Sequence, residues 1–312
     1  MRKTSLDTVY EMARQDPRVV FIGSDLGAGT LSQFKEEMPE RFFMEGVTEQ
    51  NIIGMAAGLA MEGYIPYVNT IATFITRRCF EQVAVDLCLH NLPVRLIGNG
   101  GGLVYAPLGP THLAVEDMAI MRSLPNMTVV APVDKEEMAR FIPQTLHIPG
   151  PVYIRLAKGG DPIVSLAENG FEIGKAIEMR PVGDILFIST GVMTNRALDA
   201  AKALGESGGV NCGVLHMHTV KPLDEKAVFD RADKVRAIVT LEEHTLVGGL
   251  GSAVNDLLSD RVGRQAPPVL RLGIPDVFPE KYGTQDELLS FYGLQADAIA
   301  NSVREFISLH LG

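Results

Sequence analysis

Apolar and polar positions alternate along this chain in two rhythms that change places repeatedly. The spacing of Leu6, Val9, Met12 and Ala13 predicts a helix over 4–15, closed by Asp16-Pro17. Val19-Val20-Phe21-Ile22 is then a continuous apolar run, the pattern of a parallel strand buried on both faces. Further strands are predicted at 41–44, 65–68, 93–97, 128–131 and 152–156, with helices at 30–38, 48–61, 72–89, 113–122 and 135–146. A turn-rich stretch at 157–176 interrupts the alternation. It resumes with strands at 185–189, 210–215, 237–241 and 269–272, and helices at 194–204, 224–232, 250–259, 285–291 and 296–309. This predicts a two-domain α/β protein: a doubly wound, mostly parallel sheet, then a smaller three-layer α/β domain. The domains are expected at 1–160 and 179–312, with a linker at 161–178.

The helix at 48–61 is unusual. Thr48 stands at its N-cap, where a side-chain oxygen can accept from the orphan N–H groups of the first turn. Gly54 and Gly58 lie four apart on one face, and each costs about 1 kcal/mol of helix propensity against Ala. A chain accepts that where another backbone approaches closely, so tight packing is expected here. Glu49, in the first turn, is then either a surface charge favoured by the helix dipole or a buried, tuned acid.

Open α/β sheets place ligands at the carboxyl ends of their strands. Ser24 to Gly29 follows the first strand and carries Asp25. Gly98-Asn99-Gly100-Gly101-Gly102 follows the strand at 93–97 and opens a long irregular loop that ends at Thr111 and His112. Loops of that length inside a domain are usually functional. Asp25, Glu49, Asn99, His112 and Arg155 are therefore the candidate site residues. No dinucleotide fingerprint, Walker A loop, nucleophile elbow or HExxH motif occurs. Gly248-Gly249-Leu250-Gly251 before a helix reads as a tight turn, or as a weaker anion site.

Composition narrows the picture. A chain of 312 residues that is 46% hydrophobic and 21% charged is globular, and its net charge of −10 argues against a nucleic-acid partner. A small anionic substrate needs only a local pair of arginines. Cys79, Cys88 and Cys212 show no CxxC spacing and read as reduced, buried thiols of a cytoplasmic protein, not as metal ligands. The start is polar from Arg2 to Asp7, and no apolar run reaches the ~18 residues of a membrane span, so neither a signal peptide nor a membrane partner is expected.

Gly46-Val47-Thr48-Glu49-Gln50-Asn51, Ala56-Ala57-Gly58-Leu59-Ala60, Thr73-Phe74 and Gly109-Pro110-Thr111-His112 resemble, in order and separation, the pyrimidine-binding domain of the transketolase family. Val220-Lys221-Pro222-Leu223-Asp224, Glu242-Glu243-His244 and Gly248-Gly249-Leu250-Gly251 resemble the C-terminal domain shared by transketolase, deoxyxylulose-phosphate synthase and the β subunit of 2-oxoacid dehydrogenases. The resemblance covers essentially the whole chain but not a whole enzyme. The family holds thiamine diphosphate through Mg²⁺ with a Gly-Asp-Gly motif, and none occurs here. The resemblance thus implies the C-terminal subunit of a split transketolase. Its partner, an N-terminal subunit, would supply the diphosphate-binding domain and the Mg²⁺ ligands in an α₂β₂-type assembly.

The resemblance also implies roles. Glu49 hydrogen-bonds the cofactor's aminopyrimidine as a desolvated, protonated acid, Phe74 stacks on the ring, and Asp25 and Gln50 lie beside it. His112 acts on the substrate. The cofactor serves as electron sink while a two-carbon ketol fragment passes from a ketose to an aldehyde. Arg155 and Arg2 match phosphate-binding positions of transketolase, and Arg77 matches an Arg of deoxyxylulose-phosphate synthase; a guanidinium suits such anions. The family His expected near Gly98 and Asn99 is absent. Arg2, Arg77, Asn99, His112 and Arg155 therefore form a hybrid clamp, suited to a sugar phosphate or a sulfonated sugar. The motifs leave open a deoxyxylulose-phosphate synthase-like enzyme, a 2-oxoacid dehydrogenase β subunit, or a non-catalytic relative. The presence of both Glu49 and His112 speaks against the last.

Overall fold

The apolar runs become the strands of two sheets. The computed structural model describes residues 1–24, 31–260 and 266–311. The first half supplies β1 (Val19–Gly23), β2 (Phe42–Met44), β3 (Ile65–Ile71), β4 (Arg95–Asn99), β5 (Thr128–Val130) and β6 (Val152–Leu156). The second supplies β7 (Ile177–Arg180), β8 (Ile185–Ser189), β9 (Cys212–His216), β10 (Thr219–Lys221), β11 (Ala237–Thr245) and β12 (Val269–Ile274). One sheet runs β10-β5-β6-β4-β3-β1-β2 and the other β12-β11-β8-β9-β7; both are parallel except for the edge strands β10 and β7. Strands β1, β4, β6, β8, β9 and β11 are buried along their whole length, as two-sided coverage requires. The α/β class and the mostly parallel sheets are as expected.

Helices cover both faces of the first sheet. On one, α1 (Arg2–Gln15) and α6 (Lys135–Phe141) bring Val9, Met138 and Phe141 against Phe21 and Ile154. On the other, α3 (Glu49–Met61) and α5 (Asp117–Arg122) bring Ile52, Ile53 and Met118 against Ile22, Val68 and Leu96. Gly54 and Gly58 of α3 do not share in this packing. Both are exposed, and a Cβ added at either would meet nothing within 4 Å. The close approach expected from them is not made within this chain.

Three features depart from the pattern read in the sequence. Strand β7 lies partly inside the expected linker; it is a short edge strand, half charged, with no apolar run to announce it. Strand β10, only three residues long, leaves the second half and pairs antiparallel with β5 of the first sheet. The single helix expected at 72–89 is instead two π-helical stretches, Phe74–Arg78 and Val83–Leu89, on either side of α4 (Phe80–Gln82). The Cys79 thiol donates to the carbonyls of Phe74 and Ile75 at 3.2 and 3.1 Å, satisfying backbone groups in the widened turn.

The long loop after β4 is not a surface loop. Leu103, Ala106, Leu113 and Val115 are buried among Phe187, Val239 and Leu241 of the second half. Gly102 and Ala114 bond each other's backbones at its neck (2.8 and 3.1 Å), and the N–H of Leu103 donates to Glu243 at 2.7 Å. A second buried bridge joins Glu137 of α6 to His216 of β9 at 3.0 Å, and Thr194 of α7 (Met193–Gly208) bonds the other ring nitrogen of His216 at 2.7 Å. The two halves are thus sewn together through their cores.

Candidate active site

In the first sheet the chain leaves β1 for β2 on one side and returns to β3 on the other. The crevice beyond the carboxyl ends of β1 and β3 is thus the point where such a sheet receives ligands. Ser24 follows β1, Glu49 opens α3, and the π turn Phe74–Arg78 follows β3. Asp25 lies outside the described residues.

Glu49 is only 1% exposed, which removes the surface-charge alternative. Thr48 occupies the N-cap position, but its side chain makes no capping bond to the first turn. The Glu49 carboxylate accepts from Ser24 Oγ at 3.3 Å and from Arg78 Nη1 at 2.7 Å. In a π turn, positions four apart stand nearly one above the other, and the Arg78 guanidinium carbon sits 4.1 Å from the Phe74 ring centroid. The Gln50 amide donates to the Arg78 carbonyl at 3.0 Å and ties the start of α3 to that turn.

His112 meets Phe74 edge-on, with ring centroids 5.2 Å apart at 65°. Its Nδ1 lies 2.9 Å from Thr111 Oγ1, and Tyr105 stands 6.5 Å away on another side. Tyr105 is folded over Gly100, whose φ of 76° and lack of a Cβ are both needed for that approach. The structure therefore brings Glu49, Gln50, Phe74 and His112 into one group and adds Ser24, Arg78 and Tyr105, which the sequence did not single out. Ser24 was legible only as the first residue after a predicted strand. Arg78 was visible four residues after Phe74 on the predicted helix, but nothing in the local pattern aimed it at Glu49.

The expected substrate clamp is dispersed. Asn99 is 4% exposed and exchanges side-chain hydrogen bonds with Asn69 at 3.0 and 3.4 Å. Arg77 pairs with Glu116 at 2.8 Å and donates to Leu113 O at 3.1 Å; burial raises the Glu116 carboxyl above its ordinary value against the pull of Arg77. Arg77 also lines a cavity of about 480 Å³ with Val247, Val277 and Phe278. Arg155 is 7% exposed and belongs to the seam between the halves: it donates to Asp117 at 2.9 Å and to the carbonyls of Ala114 and Glu243 at 2.9 and 2.8 Å. Its Nε and Nη2 face the protein's own carboxylate and carbonyls, which gives it a structural part in the seam. Arg2 opens α1, which packs on the face of the sheet opposite α3.

The glycine turn before α9 (Leu250–Ser259) is no free anion site either. The N–H groups of Leu250 and Gly251 bond the Glu242 carboxylate at 2.7 and 2.8 Å, so the anion there is the chain's own. Among the described residues no group of three His, Cys, Asp or Glu could hold a metal ion. A buried carboxyl group beside a partly exposed aromatic face, as at Glu49 and Phe74, does fit a flat heterocycle that can hydrogen-bond it.

Residues 1–160 match the family model of the transketolase pyrimidine binding domain, and residues 174–299 that of the transketolase C-terminal domain. Over 307 residues the chain is 39% identical to the 6-deoxy-6-sulfo-D-fructose transketolase subunit of Clostridium sp. (strain MSTE9), covering 98% of this chain and 94% of that one. It is 35% identical to an apulose-4-phosphate transketolase subunit of Phocaeicola vulgatus (strain ATCC 8482), covering 98% and 97%. Among solved structures, a split-gene transketolase, an inactive β4 tetramer, superposes with a TM-score of 0.90 at 37% identity, covering 99% of this chain and 98% of that one.

Proposed function

The chain belongs to the transketolase family, and we propose that it is the subunit of a split, thiamine-diphosphate-dependent transketolase that receives the aminopyrimidine end of the cofactor and the sugar. The observation that carries this is the buried Glu49 carboxylate beside Phe74 and His112 at the β1/β3 switch point. Glu49 holds the amino-bearing ring by hydrogen bonding. Phe74 gives the ring an apolar face and keeps water from it. His112, seated against Phe74, holds or moves a proton at a substrate oxygen. Gln50 fixes the turn that carries Phe74, while Arg77 and Asn99 lie at the edges of the group. When bound, thiamine diphosphate supplies the electron sink for two-carbon transfer.

The diphosphate end needs Mg²⁺ and a second subunit, because this chain has no Gly-Asp-Gly motif. Relatives matched over 94% and 97% of their own lengths are themselves named as transketolase subunits, which supports a two-chain enzyme of α₂β₂ type. One is named for a sulfonated ketose and the other for a phosphorylated one, so the substrate class is a ketose with an anionic end. The buried free cysteines suit a reducing compartment, the cytoplasm. The test is to mix the purified chain with the companion chain that carries the diphosphate motif and to screen ketose phosphates and sulfonates against aldehyde acceptors. Ketol transfer is expected from the mixture alone. Full transfer by the single chain sinks the reading.

A further inference from the structure

The two surfaces that an aminopyrimidine would touch are both touched by Arg78. Its Nη1 donates to Glu49 Oε2 at 2.7 Å, and its guanidinium carbon stands 4.1 Å from the Phe74 centroid. A flat guanidinium that covers an aromatic face and takes up the carboxyl group beside it occupies both surfaces that a flat aminopyrimidine, hydrogen-bonded to Glu49, would need. We propose that Arg78 is an autoinhibitory latch: it stands in the place of the aminopyrimidine, and ligand binding must swing it out. The latch rests on the pyrimidine reading of Glu49 and Phe74 given above.

Three observations favour a movable side chain over a fixed structural pair. The Arg78 side chain is 42% exposed although its partner Glu49 is 1% exposed, so the guanidinium has a direct path to water. Its backbone is held separately, through the bond from Gln50 to its carbonyl, so the side chain can leave without unwinding the turn. Glu49 keeps a second partner, Ser24 Oγ at 3.3 Å, which holds the carboxylate in place once Arg78 has gone. A half-exposed ion pair and a rim cation–π contact are each modest, so displacing them weakens binding by about tenfold and does not forbid it.

The full chain is titrated with 4-amino-2,5-dimethylpyrimidine, a neutral probe at pH 8, as wild type and as the Arg78→Gln, Arg78→Ala, Arg78→Lys and Glu49→Gln variants. Arg78→Gln and Arg78→Ala are expected to bind about tenfold more tightly than wild type, with Arg78→Lys between. Added salt should tighten wild type, by screening the ion pair, and leave Arg78→Gln unchanged. Melting temperatures of all five proteins check folding separately. Equal or weaker binding by Arg78→Gln and Arg78→Ala overturns the latch; if Glu49→Gln abolishes binding in the same series, the pyrimidine reading survives that failure. Binding that is indifferent to Glu49→Gln, or absent from every protein, overturns the pyrimidine reading and the latch with it.

Discussion

Arg155 donates from Nε to Asp117 Oδ2 at 2.9 Å, inside the seam where the loop after β4 enters the core of the second half. Burial alone would lower the guanidinium's pKa, yet Asp117 and Glu243 outweigh it and hold the group above its ordinary value. Arg155→Gln leaves the buried Asp117 without its ion-pair partner, held only by the Tyr153 hydroxyl at 2.7 Å, and is expected to cost about 3–5 kcal/mol of stability, read as a lower urea midpoint. The substrate KM of the assembled enzyme should change little. A raised KM at an unchanged midpoint would return Arg155 to the substrate clamp.

Glu49→Gln keeps the size of the side chain and removes its carboxyl chemistry. In the two-chain enzyme, hydrogen–deuterium exchange at the thiazolium carbon of added thiamine diphosphate is expected to slow by about 10²–10⁴-fold. The urea midpoint serves as the control for folding. Exchange at the wild-type rate means Glu49 is not the activating group.

Acid should loosen the seam. His218 is buried, stacked on Phe171 with centroids 3.9 Å apart, and lies 5.7 Å from His216; burial lowers its pKa from 6.5 to about 4. The unfolded chain therefore takes up this proton first. Stability from this group is complete above pH 6.5 and falls as pH drops towards 4, by up to about 3 kcal/mol. At Glu137, burial opposes ionisation, but His216 and the Val133 N–H outweigh it and hold the carboxyl below its ordinary value, which adds a further loss at lower pH. His218→Gln should flatten the plot of urea midpoint against pH between 6.5 and 4. An unchanged slope would show that His218 is not the group responsible.

The three cysteines should be silent in the native protein. Burial pushes the thiol pKa up to about 12 for Cys79 and about 11 for Cys88 and Cys212. A disulfide reagent at pH 8 should label none of them until denaturant is added. Rapid labelling of one thiol at native conditions would place it in a locally opening segment.

Much of the fold was readable because burial leaves a plain mark. Runs such as Val19–Ile22 and Ile185–Ser189 are strands with no exposed face, and their sequences contain little else to be. Glu49 and His112 were readable through the motifs around them. What escaped depends on distant residues. Nothing local tells that Leu103 will pack on Phe187 of the other half, so the loop after β4 read only as a long functional loop, with no sign of the seam that it and Arg155 build. The π turn escaped because a five-residue stretch is too short for its apolar spacing to tell the wider turn from an α-helix. Strand β10 escaped because three residues carry too little pattern to name a partner sheet.

The exchange of pieces between the halves also limits how a substrate can arrive. Many two-domain enzymes admit and release ligands by a hinge, one domain swinging away from the other. Here β10 is hydrogen-bonded into the first sheet while the loop after β4 is buried in the second half's core, so a swing would tear a strand from its ladder and drag apolar side chains into water. Opening of the Glu49–His112 group thus calls for motions smaller than a domain swing, such as that of the Arg78 side chain at its rim.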